Sequence, residues 1–389
     1  MTSPSLERLL VVAPNWLGDA VMALPALADV RRRFPAARLI VAARPAVADL
    51  FSMSPIVDDV LVIEWTGRLM AASSRRRDLA RLREARADAA LLLPNSFASA
   101  WLVTRAGVPE RWGYAADLRG PLLSRAIARP ALRRHQSEYY RHLVRELSMP
   151  NAQSSMLKAQ GAMPKAQGPM PNAGFDTPVV VPGKAIEQAQ SLLRSHGWDG
   201  TRPLVVIAPG AAYGAAKRWP SDHFARTVTT LVREQGAHCA LVGSTADAGA
   251  TREVRSLVPD SARPYASDLA GTTTLETLAA VLSLARACVS NDSGTMHLAG
   301  AVGVPLAALF GPTRERETMP LSRPGRRVEI LINHVWCRPC MLRECPLDHR
   351  CMTGLAPERV LATVRDLIGA PSPESRAPSP ESPVPSPEP

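Results

Sequence analysis

Three short stretches of this 389-residue chain join small residues to side chains that can hold phosphate or move a proton. The first is Pro14-Asn15-Trp16-Leu17-Gly18-Asp19, directly after the apolar run Leu9–Ala13. Gly18 lets the backbone approach a ligand closely, with Asn15 and Trp16 beside it as cleft residues. Asp19 stands at the carboxyl end of a strand, where a general base acts; the same carboxylate could instead cap a helix expected from Ala20. The second is Pro209-Gly210-Ala-Ala-Tyr213-Gly214-Ala-Ala-Lys217-Arg218-Trp219-Pro220, a link from strand to helix. It suits a pyrophosphate: backbone donors, the positive end of a helix, and Lys217 as a point charge. It lacks the Gly-Lys-Ser/Thr of a Walker loop. The third is Asn291-Asp292-Ser293-Gly294-Thr295-Met296-His297, which also follows a strand and opens a helix. Ser293, Gly294 and Thr295 offer N–H and hydroxyl donors to a second phosphate. Asp292 is expected to orient the loop, since two anions repel, and His297 is either a binding group or an ordinary structural histidine. Asp247, in Ser244-Thr-Ala-Asp247, either accepts the two ribose hydroxyls or is a solvated loop carboxylate.

A fourth stretch carries Cys337-x2-Cys340-x4-Cys345-x5-Cys351, with His349 among them. Cys-x2-Cys is a zinc half-site, but the second half departs from the ribbon spacing. A structural zinc, free thiols and a redox-made crosslink all fit, and none of these cysteines reads as a catalytic nucleophile.

The formal charge is +11, and residues 1–150 hold 22 Lys+Arg against 14 Asp+Glu. A basic first half points to an anionic partner, or to an arginine-rich codon bias with no partner at all. The basic stretch Ser73–Ala87 lacks the interleaved aromatics of a single-strand nucleic-acid platform, so no nucleic-acid partner is expected. No apolar run approaches the ~20 residues that span a bilayer. The short Leu9–Ala13 run is a poor secretion signal, so a cytoplasmic location with reduced cysteines is expected.

The elements that must position these residues alternate. Strands are expected at Leu9–Ala13, Leu39–Ala42, Val60–Ile63 and Ala89–Leu93, with helices at Ala20–Phe34, Ser73–Ala87 and Ser96–Ala106. The second half repeats the pattern: strands at Leu204–Ala208, Ala237–Gly243, Cys288–Ser290 and Pro305–Phe310, helices at Pro220–Gln235, Thr274–Ala287 and from Thr295. Strand–helix alternation at this spacing implies parallel sheets. The expected fold class is α/β, two doubly wound Rossmann-like domains facing each other across a cleft, with ligands at the carboxyl ends of the strands. The expected organisation is 1–149, a low-complexity connection at 150–178 that repeats Met-Pro and Lys-Ala-Gln, a second domain at 179–368, and a disordered Pro/Ser/Glu tail at 369–389.

Taken in order, Asn15-Trp-Leu-Gly-Asp19-Ala-Val-Met-Ala-Leu-Pro25, Pro209-Gly-Ala-x-Tyr213-Gly-x-Ala-Lys217-Arg-Trp-Pro220 and Asn291-Asp-Ser-Gly-Thr-Met-His297 resemble the lipopolysaccharide heptosyltransferases of glycosyltransferase family 9. The resemblance runs from about Leu9 to about Leu367, with 150–178 and the tail outside it. It implies a GT-B fold and an inverting transfer of heptose from ADP-heptose to the first heptose of the lipopolysaccharide inner core. Alternatives are addition of another core heptose, including the first, or a catalytically silent nucleotide-binding relative. It implies Asp19 as the base, and Tyr213, Lys217, Asp247, Asp292, Ser293, Gly294, Thr295 and His297 around the nucleotide sugar. Asn15, Trp16 and Gly18 fall on the acceptor side of the cleft. No cofactor is implied for catalysis. The implied partner is the anionic Kdo-lipid A acceptor at the cytoplasmic face of the inner membrane, with the protein peripherally attached. The cysteine cluster is not common to the family, so its role does not follow from the resemblance.

Overall fold

The computed structural model describes residues 6–64, 72–147 and 179–369. The expected connection at 150–178 and the tail beyond Gly369 lie outside these residues. In the first half, strands β1 (Arg8–Val12), β2 (Arg38–Ala43), β3 (Asp59–Val62), β4 (Ala89–Leu92), β5 (Glu110–Tyr114) and β6 (Arg125–Ile127) alternate with helices α1 (Leu17–Arg33), α2 (Pro45–Ser52), α3 (Ala72–Glu84) and α4 (Phe97–Ala106), and α5 (Gln136–Glu146) follows. In the second half, α6 (Gly183–Ser195) precedes β7 (Leu204–Ala208), α7 (Ser221–Gln235), β8 (His238–Leu241), α8 (Ala248–Leu257), β9 (Ala266–Asp268), α9 (Leu275–Leu284), β10 (Ala287–Asn291), α10 (Gly294–Val302), β11 (Leu306–Phe310), α11 (Glu315–Thr318), β12 (Val328–Ile332), α12 (Arg350–Thr353) and α13 (Pro357–Gly369).

Both sheets are wholly parallel and share one topology. The orders are β3-β2-β1-β4-β5-β6 and β12-β11-β10-β7-β8-β9, so β7, β8 and β9 stand where β1, β2 and β3 do. In each sheet the winding reverses between the first and fourth strands, and that is where a crevice opens at the carboxyl ends. The first and third chemical stretches leave β1 and β10, and the second leaves β7. All of them therefore emerge at switch points.

The central strands are buried on both faces, as parallel strands between helices must be. β4, β7, β10 and β11 are buried at every residue. Few aromatics take part; one apolar cluster of Ala, Val, Leu and Met runs from Leu9 and Leu24 through Leu204 to Leu298 and so spans both sheets. Further links join the halves. The Val180 N–H donates to the Met53 carbonyl at 2.8 Å, and His135 Nε2 to the Met319 carbonyl at 2.8 Å.

Helix α1 begins at Leu17, not at Ala20. Trp16 holds an extended backbone (φ −98°, ψ 138°), and its carbonyl accepts the Ala20 N–H at 2.9 Å. Asp19 thus lies inside the first turn and does not cap the helix. The arginines of the basic helix α3 make intramolecular contacts: Arg75 lies over the Trp101 ring, Arg77 pairs with Glu64 and Arg81 donates to the Val62 carbonyl.

Two histidines are enclosed among apolar neighbours. His238 is fully buried with Nε2 2.6 Å from the Ser267 hydroxyl, and His297 is buried at the start of α10. Burial pushes both down to about 4. The unfolded chain, with ordinary histidines near pH 6.5, binds more protons than the folded one between those values, so stability rises with pH there. Denaturation midpoints measured across this range should be flat above pH 6.5 and fall steadily from pH 6.5 towards pH 4. Replacing His238 by Gln should flatten part of that slope.

Candidate active site

The site is built where the first turns of α1 and α10 meet. Gly18 lies so close to the imidazole of His297 that a Cβ there would stand 2.8 Å from Cδ2. A Cβ on Gly294 would stand 2.9 Å from that of Leu17. Two glycines therefore let one helix N-terminus from each sheet come together, and with them two sets of unsatisfied N–H groups and two positive dipole ends. Ser293 caps α10 only through its backbone, its hydroxyl lying 3.2 Å from that of Ser290, so the first-turn donors of α10, including those at Gly294 and Thr295, are not taken by a side-chain cap.

Asp19 projects into this junction. Burial raises its carboxyl above the usual aspartate range, and the ammonium of Lys217 opposes that shift. Lys217 comes from the other sheet, at the end of a 3-10 turn spanning Ala215–Lys217. Its Nζ lies 2.6 Å from Asp292 Oδ2, with 12% of the lysine side chain and 4% of the aspartate exposed. The Thr313 hydroxyl donates to the same oxygen at 2.6 Å. Asp292 thus holds the lysine as well as its loop, and Lys217 stands between two carboxylates, Asp292 in contact and Asp19 across the junction. Asn291 joins the two loops: its amide donates to the Pro209 carbonyl at 2.8 Å, and its oxygen accepts the Trp219 N–H at 3.1 Å.

Other sequence-derived residues fall elsewhere. Asp247 is spent on its own turn, where its carboxylate accepts the Ser244 N–H at 3.0 Å and the Ser244 hydroxyl at 2.7 Å in a capping box. Its Cβ and carboxylate lie against Gly210 and Gly243, positions that only glycine could hold there. Tyr213 stands beside Lys217. Its hydroxyl donates to the Met341 carbonyl at 2.8 Å, and its ring lies between Lys217 Nζ (4.8 Å from the centroid) and the Arg343 guanidinium (5.3 Å). Asn15 and Trp16 are exposed at the cleft edge, Trp16 by 63%. His297 is buried with no partner for Nδ1 and packs against Gly18.

The cysteines do not assemble the zinc site the spacing suggested. Among the described residues no group of three or more His, Cys, Asp or Glu side chains is placed to hold a metal ion. Cys351, within α12, is buried, Cys340 faces solvent, and Cys337 and Cys345 lie between these extremes. His349, the one imidazole in the stretch, is turned to the Ala216 carbonyl at 2.7 Å.

Several neighbours were not legible in the sequence. Thr313, two residues past Gly311, anchors Asp292. Tyr140 of α5 is buried beside Asp19, whose charge helps keep its hydroxyl protonated, and it is hydrogen-bonded to Gln136. Arg119 is fully buried, donating to the carbonyls of Tyr114 and Pro94, with no carboxylate partner among the described residues. No short motif marks these residues; each is recruited by packing.

Two facing doubly wound parallel sheets with a polar site at their apposed switch points define a glycosyltransferase of the GT-B arrangement. Comparison with known proteins agrees. The family described as glycosyltransferase family 9 (heptosyltransferase) matches residues 75–350. The chain is 29% identical to lipopolysaccharide heptosyltransferase 2 of Salmonella typhimurium, over 93% of this chain and 98% of that one. The solved ADP-heptose heptosyltransferase II of Escherichia coli superposes with a TM-score of 0.75 at 27% identity, covering 93% and 98% of the two chains. An Escherichia coli heptosyltransferase solved with ADP has the same fold, with a TM-score of 0.64 at 20% identity over 92% and 99%. The chain belongs to glycosyltransferase family 9.

The apposition of α1 and α10 makes a direct prediction. Gly18→Ala and Gly294→Ala each force a methyl into buried neighbours and should cost about 1–3 kcal/mol in chemical denaturation. Gly249→Ala, where no atom lies within 4 Å of the added carbon, should be neutral.

Proposed function

We propose that this protein transfers L-glycero-D-manno-heptose from ADP-heptose to the first heptose of the lipopolysaccharide inner core. The observation that carries this reading is the meeting of Asp19 and Lys217, one from each sheet, at two facing helix N-termini. A single inverting displacement needs a base on the acceptor side and positive charge on the leaving-group side, and the junction supplies both.

In this reading Asp19 accepts the proton of the acceptor hydroxyl as that oxygen attacks the anomeric carbon, and the bond from that carbon to the ADP oxygen breaks. A buried carboxyl with a raised pKa is a better base near neutrality than an ordinary aspartate. Lys217, held by Asp292, and the N–H groups of Ser293, Gly294 and Thr295 face the departing pyrophosphate. Positive charge already in place there needs little rearrangement as negative charge develops. Asp247 stays a shaping residue behind Gly210, and Tyr213 supports Lys217.

On the acceptor side, Asn95, Arg129, Arg133, Arg134, Gln136 and Tyr139 line a pocket of about 380 Å³. Arg133 lies 3.4 Å from Glu317 of the other half, while Arg129 and Arg134 pair with no carboxylate among the described residues. Gln136 bonds Tyr140, which neighbours Asp19, so this pocket is one helical turn from the base. Its surplus of guanidinium suits the Kdo carboxylates and lipid A phosphates of the acceptor. No helix among the described residues is long and apolar enough to cross a membrane. A lipid-borne anionic acceptor and a basic first half support peripheral attachment at the cytoplasmic face of the inner membrane.

A mass-spectrometric assay with ADP-heptose tests the reading. One heptose should add to Kdo-lipid A that already carries a heptose, and none to bare Kdo-lipid A; gain on the bare acceptor would make this the enzyme of the first heptose. In the same assay Arg129→Glu with Arg134→Glu should raise the acceptor KM roughly tenfold or more, from loss of two charge-assisted contacts, and leave the donor KM unchanged.

Asp19→Asn should keep ADP binding and lose about 10²–10⁴-fold in kcat. Since the base works deprotonated, wild-type kcat/KM should fall with acid through a pKa above the ordinary aspartate value of about 3.9. That limb should be missing from the residual rate of the variant.

A further inference from the structure

Among the described residues of the first half, the large apolar side chains left exposed are Trp16, Phe97, Leu118 and Leu132. Each stands in the loop or first helical turn that follows a different strand: β1, β4, β5 and β6 in turn. Those four strands are neighbours in the sheet, in that order. At about 4.8 Å between strands, the row spans roughly 15 Å along the carboxyl edge of the sheet. Single exposed apolar residues are ordinary when they are scattered, but here they share one edge. The opposite edge carries Asp58, Asp59, Asp88 and Glu110 among its arginines and none of the four.

Leu118 is the most exposed of them, at 91%, and its neighbour imposes that position. Arg119 is fully buried and donates to the Tyr114 carbonyl at 2.9 Å, to the Pro94 carbonyl and to Asn95 Oδ1 at 3.4 Å. Gly113 leaves room for the guanidinium, since a Cβ there would stand 2.9 Å from Nη2. Asp117 and Leu118 both take left-handed backbone, with φ 47° and 58°, a conformation kept only where surrounding contacts impose it. A buried cation thus holds the preceding apolar side chain out in solvent. Positive charge lies beside the row. Arg129, Arg133 and Arg134 flank Leu132 in the loop after β6, and all four line the same pocket as Asn95. The carboxylates in these four loops are Asp117 and, within the junction, Asp19. Glu317 of the other half lies 3.4 Å from Arg133.

We propose that this edge is the face by which the protein enters an anionic bilayer surface, with Phe97, Leu118 and Leu132 inserted, Trp16 at the cleft end of the row, and Arg129 and Arg134 on the lipid phosphates. This deepens the proposed function and rests on its lipid-borne acceptor. Charge complementarity selects the occupant: apolar side chains gain by leaving water for the acyl boundary, while the guanidinium groups beside them stay at headgroup level and meet negative charge. Long arginine stems suit that division, since the apolar part lies along the inserted residues and the charge stays wet. The acidic opposite edge is repelled by the same surface, so the face also fixes an orientation. Because Leu132 lines both the row and the arginine pocket, the pocket opens at the bilayer surface. A sugar carried on a lipid then reaches towards Asp19 while its acyl chains remain in the membrane.

Flotation of the full-length protein with vesicles tests the proposal. Vesicles of equal parts phosphatidylcholine and phosphatidylglycerol, free of lipopolysaccharide, should carry the protein, and pure phosphatidylcholine vesicles should bind it about tenfold less or weaker still. Phe97→Ser combined with Leu118→Ser should lower partition onto the mixed vesicles by about tenfold or more, from loss of two inserted side chains. Leu118→Trp, which keeps an apolar ring at that position, should bind as the wild type does. Leu257→Ser, at a half-exposed leucine that ends α8 in the second half, should also bind normally. Heptose transfer to a water-soluble inner-core oligosaccharide without acyl chains should be the same for the wild type and the Phe97→Ser, Leu118→Ser variant. Absence of wild-type binding to the anionic vesicles, undiminished binding by the double variant, or an equal loss in Leu257→Ser overturns the membrane face. Vesicle binding as expected with no transfer to the soluble acceptor overturns the proposed function alone, and transfer without vesicle binding overturns the membrane face alone.

Discussion

Everything at the site depends on how closely two helix N-termini can approach. With any side chain at Gly18 or Gly294, α1 and α10 would stand further apart by about a methyl group, and Asp19 and Lys217 would no longer share one pocket. The two missing Cβ atoms let His297 and Leu17 act as the contact surfaces between the halves. They also bring together two dipole ends of like sign, which repel each other and attract an anion. On the proposed reading, a bound pyrophosphate would relieve that repulsion.

The distribution of protein charge follows from the same constraint. Lys217 in so enclosed a place needs a counter-ion, and Asp292 provides it with Thr313 bound to the same oxygen. A buried charge left without its partner is costly, so the pair holds the ammonium in position. Asp19, without a partner in contact, responds to burial in the opposite way and holds its proton more readily. Away from the junction, Arg119 carries a charge into the first half, donating to carbonyl, hydroxyl and amide oxygens.

Support for the donor loop comes from far along the chain. Tyr213, Ala216 and Gly214 are held by Met341, Arg343 and His349, about 130 residues later. A loop of small residues has little packing of its own, and the exposed cysteine-rich segment supplies the contacts that give it one shape. Its apolar residues remain largely outside, Trp336 by 77%, because its task is carried by backbone carbonyls and one imidazole and not by burial.

The sequence by itself determined the architecture and the location of the chemistry. Alternating apolar runs and amphipathic stretches, with Pro-Gly and Asp-Ser-Gly breaks after strands, are local signals, and they placed Leu204–Ala208, Pro305–Phe310 and the three loops within a few residues of where they lie. Short or half-exposed elements escaped that reading: β6 and β9 have three residues each, and β12 is only partly buried, so none shows a clear period. Local pattern also could not choose among the uses of a side chain. Asp19 lies inside the first turn and is not a cap because the helix starts three residues early, at Leu17. Asp247 is a capping-box carboxylate because Gly210 and Gly243 leave it room there, and Tyr213 is a brace because Met341 offers a carbonyl. The four cysteines are free thiols in a segment that hydrogen bonds tie to the loop before Lys217. Each of these outcomes rests on a partner distant in the chain, and only the packed tertiary structure brings such partners within a few ångströms.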